Sequence, residues 1–261
     1  MTNYAENYYM SETLILLIPF IGTTLGAAMS LFFRSGLSLR AEKIFLGFAA
    51  GVMTAAAVWS LLIPALDAAE SCLPVVSGFL VGVGFLLLLD IIIPHLHLES
   101  ESPEGLPVKL PKRTMLLLAV TLHNIPEGMA VGVALAGSLS ESAISTSSAL
   151  VLSMGIALQN FPEGAVVSMP LLGEGMGRKK AFFCGVLSGA VEPVAALVTL
   201  FFTRELSSVL PFLLSFAAGA MLYVVAEELI PESQAGKHSN IGTVSAAFGF
   251  AVMMALDVVF G

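Results

Sequence analysis

Apolar runs of twenty-odd residues, separated by short polar or charged connections, recur eight times along the chain. Their approximate limits are 12–33, 44–66, 73–94, 114–137, 145–171, 180–203, 208–230 and 240–260. Each is close to the ~20 residues needed to cross a hydrocarbon core. Lipid offers no water to satisfy backbone groups, so the runs are expected to be helices. The pattern predicts an all-α polytopic membrane protein with eight transmembrane helices, forming one transmembrane domain over residues 1–261. Composition agrees: 57% of the residues are hydrophobic and 11% are charged, where a soluble domain carries about a quarter charged. The net charge of −8 does not describe an acidic exterior, because many of the acids lie within the apolar runs or at their ends. No basic patch suited to nucleic acid is present.

The connections orient the helices. Arg34, Arg40 and Lys43 fall in the first, Lys109, Lys112 and Arg113 in the third, Arg178, Lys179 and Lys180 in the fifth and Lys237 in the seventh. These alternate connections share a side and hold ten of the eleven basic residues, leaving Arg204 opposite. Cytoplasmic loops collect Lys and Arg, so the expected topology is N-out and C-out. Met1 to Glu12 lacks the basic start of a cleavable signal peptide. Cys72 and Cys184 are expected on opposite sides, unpaired, and lack thiolate-site spacing. The longest connection, about 95–113, has a loop's composition, with His95, His97, three Glu and three Pro. It reads either as a solvated cytosolic linker or as a weak metal-collecting tail at the inner mouth.

Two segments share a phrase. Ala49-Ala50-Gly51-Val52-Met53 leads to Leu62-Ile63-Pro64 in the second, and Ala217-Ala218-Gly219-Ala220-Met221 leads to Leu229-Ile230-Pro231 in the seventh. These helices run in opposite directions, as in an inverted repeat, so the expected plan is a 3+2+3 arrangement around a central pair. That pair carries a second repeated phrase: Leu122-His123-Asn124-Ile125-Pro126-Glu127-Gly128 and Leu158-Gln159-Asn160-Phe161-Pro162-Glu163-Gly164. In each, the first polar residue and the Glu are four apart and share a helix face. Each proline frees the carbonyl one turn earlier, on Leu122 or Leu158.

His123 lies about nine residues into the fourth helix and Gln159 about fourteen into the fifth, entered from opposite faces. Both therefore reach the midplane, where His123, Glu127, Gln159 and Glu163 are expected to form one cluster. Asn124 and Asn160 line a neighbouring position. Glu192-Pro193 on the sixth helix adds a third carboxylate at similar depth. Ionisable residues there are costly and mark function. No Lys or Arg inside the segments neutralises the trio, whereas a divalent cation does. One imidazole among oxygens suits Zn²⁺, Fe²⁺ or Mn²⁺ better than Ca²⁺ or Mg²⁺.

These motifs resemble those of the ZIP (Zrt/Irt-like) divalent-metal transporters, over essentially the whole chain. Gln159, where many members have His, resembles a bacterial branch and hardens the site. The resemblance implies import of divalent metal, Zn²⁺ foremost, with Fe²⁺, Mn²⁺ and Cd²⁺ as alternatives, through a multi-pass protein of the inner (plasma) membrane. It implies two adjacent metal positions. The first uses His123, Glu127, Gln159 and Glu163. The second uses Asn124, Asn160 and Glu192, bridged by Glu127 and Glu163. Met53 resembles an outer-side ligand of the family, with core packing as its alternative. Glu227 and Glu228 match a His-Glu position of relatives and, with Asp90, His95, His97 and His238, suggest a release path. Homodimers, and an elevator motion of the first, fourth, fifth and sixth helices, are also implied.

No resident cofactor and no enzymatic activity are expected. An intramembrane metallohydrolase would need an open coordination position and a general base, and HExxH is absent. A non-transporting metal sensor is the other rival. Three carboxylates in oil cannot all stay charged without a counter-cation, so protons are expected to replace departing metal.

Overall fold

The computed structural model describes residues 2–33, 35–96, 105–107, 110–140, 144–203, 209–237 and 239–261, without the side chains of residues 2–11, 112 and 116. Eight helices are long and apolar enough to cross a membrane. They are α1 (Glu12–Phe32), α2 (Leu39–Ala68), α3 (Cys72–Ile92), α4 (Arg113–Leu139), α5 (Thr146–Gly173), α6 (Arg178–Thr203), α7 (Leu210–Gln234) and α8 (Ile241–Phe260). The described residues contain no extended strand. This is a multi-pass, all-α membrane protein.

Helix limits differ from the apolar runs where polar residues prolong a helix beyond the oil. Ser38 caps the start of α2 by accepting from the Ala41 backbone N–H at 3.3 Å, so α2 begins before Lys43. That lysine is buried and donates to the Lys237 carbonyl at 3.0 Å. At the other end of the protein's central helices, Pro64 and Pro231 follow short widened turns of π-helix, Ala57–Leu62 in α2 and Val225–Leu229 in α7. A proline cannot donate and crowds the carbonyl one turn back. Widening that turn absorbs the misfit without ending the helix, and such turns are frequent at functional sites.

The helices associate mainly as four pairs: α1 with α5, α4 with α6, α2 with α8 and α3 with α7. Glycine brings backbones together at these seams. A Cβ on Gly26 of α1 would fall 1.9 Å from the Phe161 carbonyl oxygen, and one on Gly51 of α2 would fall 1.9 Å from that of Ala246. In a bilayer, where hydrophobicity does not drive helices together, such close van der Waals contact does. The first two pairs join through α1–α6 and α4–α5 contacts, and the other two join chiefly through α2 and α7. These two groups meet where α5 lies on α2 and α4 on α7, with an apolar core of residues such as Leu61, Leu135, Ile156 and Leu214. The polar midplane of α4 and α5 lies beside this core.

Candidate metal site

Pro126 and Pro162 sit inside continuous helices, so each repeated phrase remains a stretch of α4 or α5. The faces are sorted by polarity. Leu158 and Phe161 are exposed on the outside of the bundle, while Gln159, Asn160 and Glu163 are buried. On α4, Asn124 and Glu127 are buried as well. Glu192 of α6 joins them, 1% exposed. All six of these donors face protein.

The donors engage one another across helices. Gln159 Nε2 donates to Glu127 Oε1 at 2.7 Å. Asn124 Nδ2 donates to the Ser188 carbonyl of α6 at 2.9 Å. Thr23 of α1 donates to Glu192 Oε1 at 2.6 Å. The Asn160 amide lies near the carboxylates of Glu127 and Glu192, but neither its nitrogen nor its oxygen makes a hydrogen bond. Glu163 lies within electrostatic reach of Glu127, Glu192 and Glu228.

What these bonds leave over is acceptor capacity. Glu127 Oε2, Glu163 Oε1, Glu192 Oε2, Gln159 Oε1 and Asn124 Oδ1 are buried without a hydrogen-bond partner. An acceptor kept from water in this way costs about 1–3 kcal/mol, more for a charged group. No Lys or Arg occurs from Thr114 to Gly173 on α4 and α5, or after Lys180 on α6. A concentration of buried oxygen acceptors from three helices, lacking cationic side chains, is suited to cations. In the arrangement described, Gln159 holds Glu127, while the Ser188 carbonyl and Thr23 hold Asn124 and Glu192, and among the described residues no three His, Cys, Asp or Glu side chains converge as a ready-made ion cage.

His123 takes a different direction from Glu127, although the two share a helix face. Its Nε2 contacts Glu228 Oε2 on α7, across the boundary between the two helix groups. The widened turn of α7 buries Glu228 and leaves Glu227 exposed. His123, Glu163 and Glu228 line a narrow cavity that runs on to Leu96, Arg113 and Glu232. Those last residues lie at the end of the bundle that carries the basic connections. The cavity offers about 40 Å³, room for an ion and a few waters.

Other candidates lie elsewhere. Met53 is fully buried within the apolar core. His95 pairs with Asp90 at 3.0 Å and its Nδ1 meets the Ile93 carbonyl at 2.8 Å. Asp90 also accepts from the Tyr223 hydroxyl at 3.0 Å, so this cluster fastens the end of α3 to α7, and Leu96 rather than His95 lines the cavity. Cys72 and Cys184 are free thiols. His97 and His238, and most of the 95–113 connection, lie outside the described residues. Thr23, the Ser188 carbonyl and Glu232 were not singled out by sequence reasoning. The flanking Gly22 and Gly26 were the available hint of an intimate contact at Thr23.

A family model described as the ZIP zinc transporter matches residues 100–257. The human zinc transporter ZIP11 is 36% identical, with 92% of this chain and 94% of the relative aligned. The zinc transporter ZIPB of Bordetella bronchiseptica is 38% identical, covering 93% of this chain and 79% of the relative. The zinc transporter GufA of Myxococcus xanthus is 36% identical, covering 92% and 96% respectively.

Proposed function

The chain belongs to the ZIP zinc transporter family, and from that membership we propose that it imports divalent metal ions, Zn²⁺ foremost, into the cytoplasm. The observation that carries this reading is the trio Glu127, Glu163 and Glu192: three buried carboxylates from three helices, each with an oxygen that has no protein partner. A divalent cation supplies the positive charge that the surrounding helices lack. Gln159, Asn124 and Asn160 add neutral oxygens, and His123 adds a softer nitrogen on the cavity side. Oxygen-rich ligation with one imidazole favours ions that bind well yet leave, as a carrier needs.

We place two adjacent metal positions here. One uses His123, Glu127, Gln159 and Glu163; the other uses Asn124, Asn160 and Glu192, with Glu127 and Glu163 shared. The cavity past Glu228 and Glu232 is then the inner release route. Transport proceeds by alternating access, with α1, α4, α5 and α6 moving against α2, α3, α7 and α8. The helix pairing supports this division, since strong seams lie within each group. The pairing also supports the inverted repeat. Exchanging helices one to three with six to eight, and four with five, turns α1–α5 into α4–α6 and α2–α8 into α3–α7. N-out and C-out orientation, residence in the inner (plasma) membrane and a homodimeric state complete the proposal.

Zinc flux into proteoliposomes of purified protein tests it. Saturable zinc entry, lost in Glu127→Ala and His123→Ala, is expected. Zinc binding without flux identifies a sensor instead, and hydrolysis of a peptide or lipid without flux identifies an enzyme. Normal zinc entry in either variant removes the site assignment.

A further inference from the structure

We propose that Thr23 of α1 is a positioning residue for metal binding, fixing one oxygen of Glu192 so that the other is presented to the ion. This rests on the transport reading above. Two observations carry it. The first is the hydrogen bond: the buried Thr23 hydroxyl donates to Glu192 Oε1 at 2.6 Å, while Glu192 Oε2 has no partner. The carboxylate is thus divided between an oxygen committed to α1 and an oxygen available to a cation.

The second is steric. Thr23 sits directly on Gly189, where a Cβ would fall 2.8 Å from Thr23 Cβ and 2.8 Å from its Cγ2. Gly189 ends the first stretch of α6, and a turn at Ala190 separates it from the second stretch beginning at Val191. Glu192 therefore stands just beyond this turn. On the opposite side of Thr23, a Cβ on Gly164 of α5 would fall 2.1 Å from the Thr23 carbonyl oxygen. α1 packs against both α5 and α6, and Thr23 touches both at the height of Glu192.

A carboxylate free to rotate about χ3 presents either oxygen or neither. Held through Oε1, it keeps Oε2 unpartnered and in one orientation, in a carboxylate that lies near Asn160 and Glu127. Partners of this kind behind a metal ligand typically change affinity by about 10–100-fold when removed. The hydroxyl acts through Glu192 without touching the ion.

Two substitutions separate the hydroxyl from the packing. Thr23→Val keeps the branched shape against Gly189 and loses the donor. Thr23→Ser keeps the donor and loses a methyl group. Zn²⁺ uptake into proteoliposomes, with Zn²⁺ binding to the same preparations by calorimetry, is measured for both, for the wild type and for Glu192→Ala. The expected result is a KM and Kd raised about tenfold or more in Thr23→Val, with maximal rate changed little and melting temperature lowered modestly, because Glu192 Oε1 loses its partner. Thr23→Ser is expected to stay within about threefold of wild type, on the same scale.

Unchanged KM and Kd in Thr23→Val, or impairment of Thr23→Ser alone, overturns the proposal and leaves Thr23 as a packing residue. Should Glu192→Ala itself bind and carry Zn²⁺ normally, the assignment of Glu192 fails. Should the wild type carry no metal, the transport reading fails. Each outcome is recognisable from the four proteins together.

Discussion

Replacing Glu127 by Gln or by Ala separates the two tasks that the structure gives this residue. Its carboxylate is fully buried, with Oε1 accepting from Gln159 at 2.7 Å and Oε2 unpartnered. Both variants remove one negative charge. At an effective dielectric of about 20, a unit charge about 4 Å from a divalent ion contributes roughly 8 kcal/mol of gross attraction. Dehydration of the ion offsets most of it, yet about a fifth of that figure surviving corresponds to more than tenfold in affinity. Metal binding is therefore expected to weaken at least tenfold in both. Folding is expected to separate them. Gln at 127 still offers an oxygen to Gln159. Ala leaves the Gln159 amide buried and unpaired, at a cost of about 1–3 kcal/mol. The assays are zinc calorimetry and thermal unfolding in the same detergent, with zinc chelated for the unfolding runs. Glu127→Ala is expected to melt well below Glu127→Gln, which melts near wild type. Wild-type zinc affinity in Glu127→Gln refutes the charge argument, and equal melting of the two variants refutes the role of the Gln159 bond.

Further expectations follow from other parts of the structure. Metal ligation requires deprotonated donors, so apparent zinc affinity of the wild type is expected to fall as pH drops from about 7.5 to about 5; a flat profile by calorimetry rejects proton–metal exchange. Gly128→Ala puts a Cβ 2.3 Å from the Glu192 carbonyl oxygen and is expected to cost about 1–3 kcal/mol through overpacking at the α4–α6 seam, read as lower melting temperature and reduced uptake. Cys72 is exposed at the start of α3, so a membrane-impermeant maleimide is expected to label it in intact spheroplasts, with Cys72→Ser as control. Labelling of Cys184 but not Cys72 reverses the proposed orientation.

Much of this was legible in the sequence because membranes impose so few solutions. Length and hydropathy marked eight helices, with limits mostly within a few residues of those found; α2 and α7 extend furthest beyond, because polar ends such as Leu39–Lys43 and Pro231–Gln234 continue the helix outside the oil. Spacing of four put each phrase's polar residues on one face and residue counts put the two phrases at one depth, and the structure joins Gln159 to Glu127 directly. Spacing said nothing about which neighbour each side chain meets. His123 and Glu127 share a face of α4, yet His123 reaches α7, because helix neighbours are set by packing that no single-segment pattern encodes. Thr23 went unnoticed for a similar reason: one threonine in an apolar helix looks like any other until Glu192 is brought beside it. The widened turn that buries Glu228 and exposes Glu227 likewise breaks the 3.6-residue rule from which their directions would be read.

The bond between Gln159 and Glu127 bears on the unladen half of the proposed transport cycle. A vehicle that delivers cargo must come home without it, and a pocket of mutually repelling acids would resist that journey. Here amide and carboxylate can clasp each other, giving the same side chains a settled arrangement of their own. Letting a passenger go then becomes a change of partners rather than a rupture.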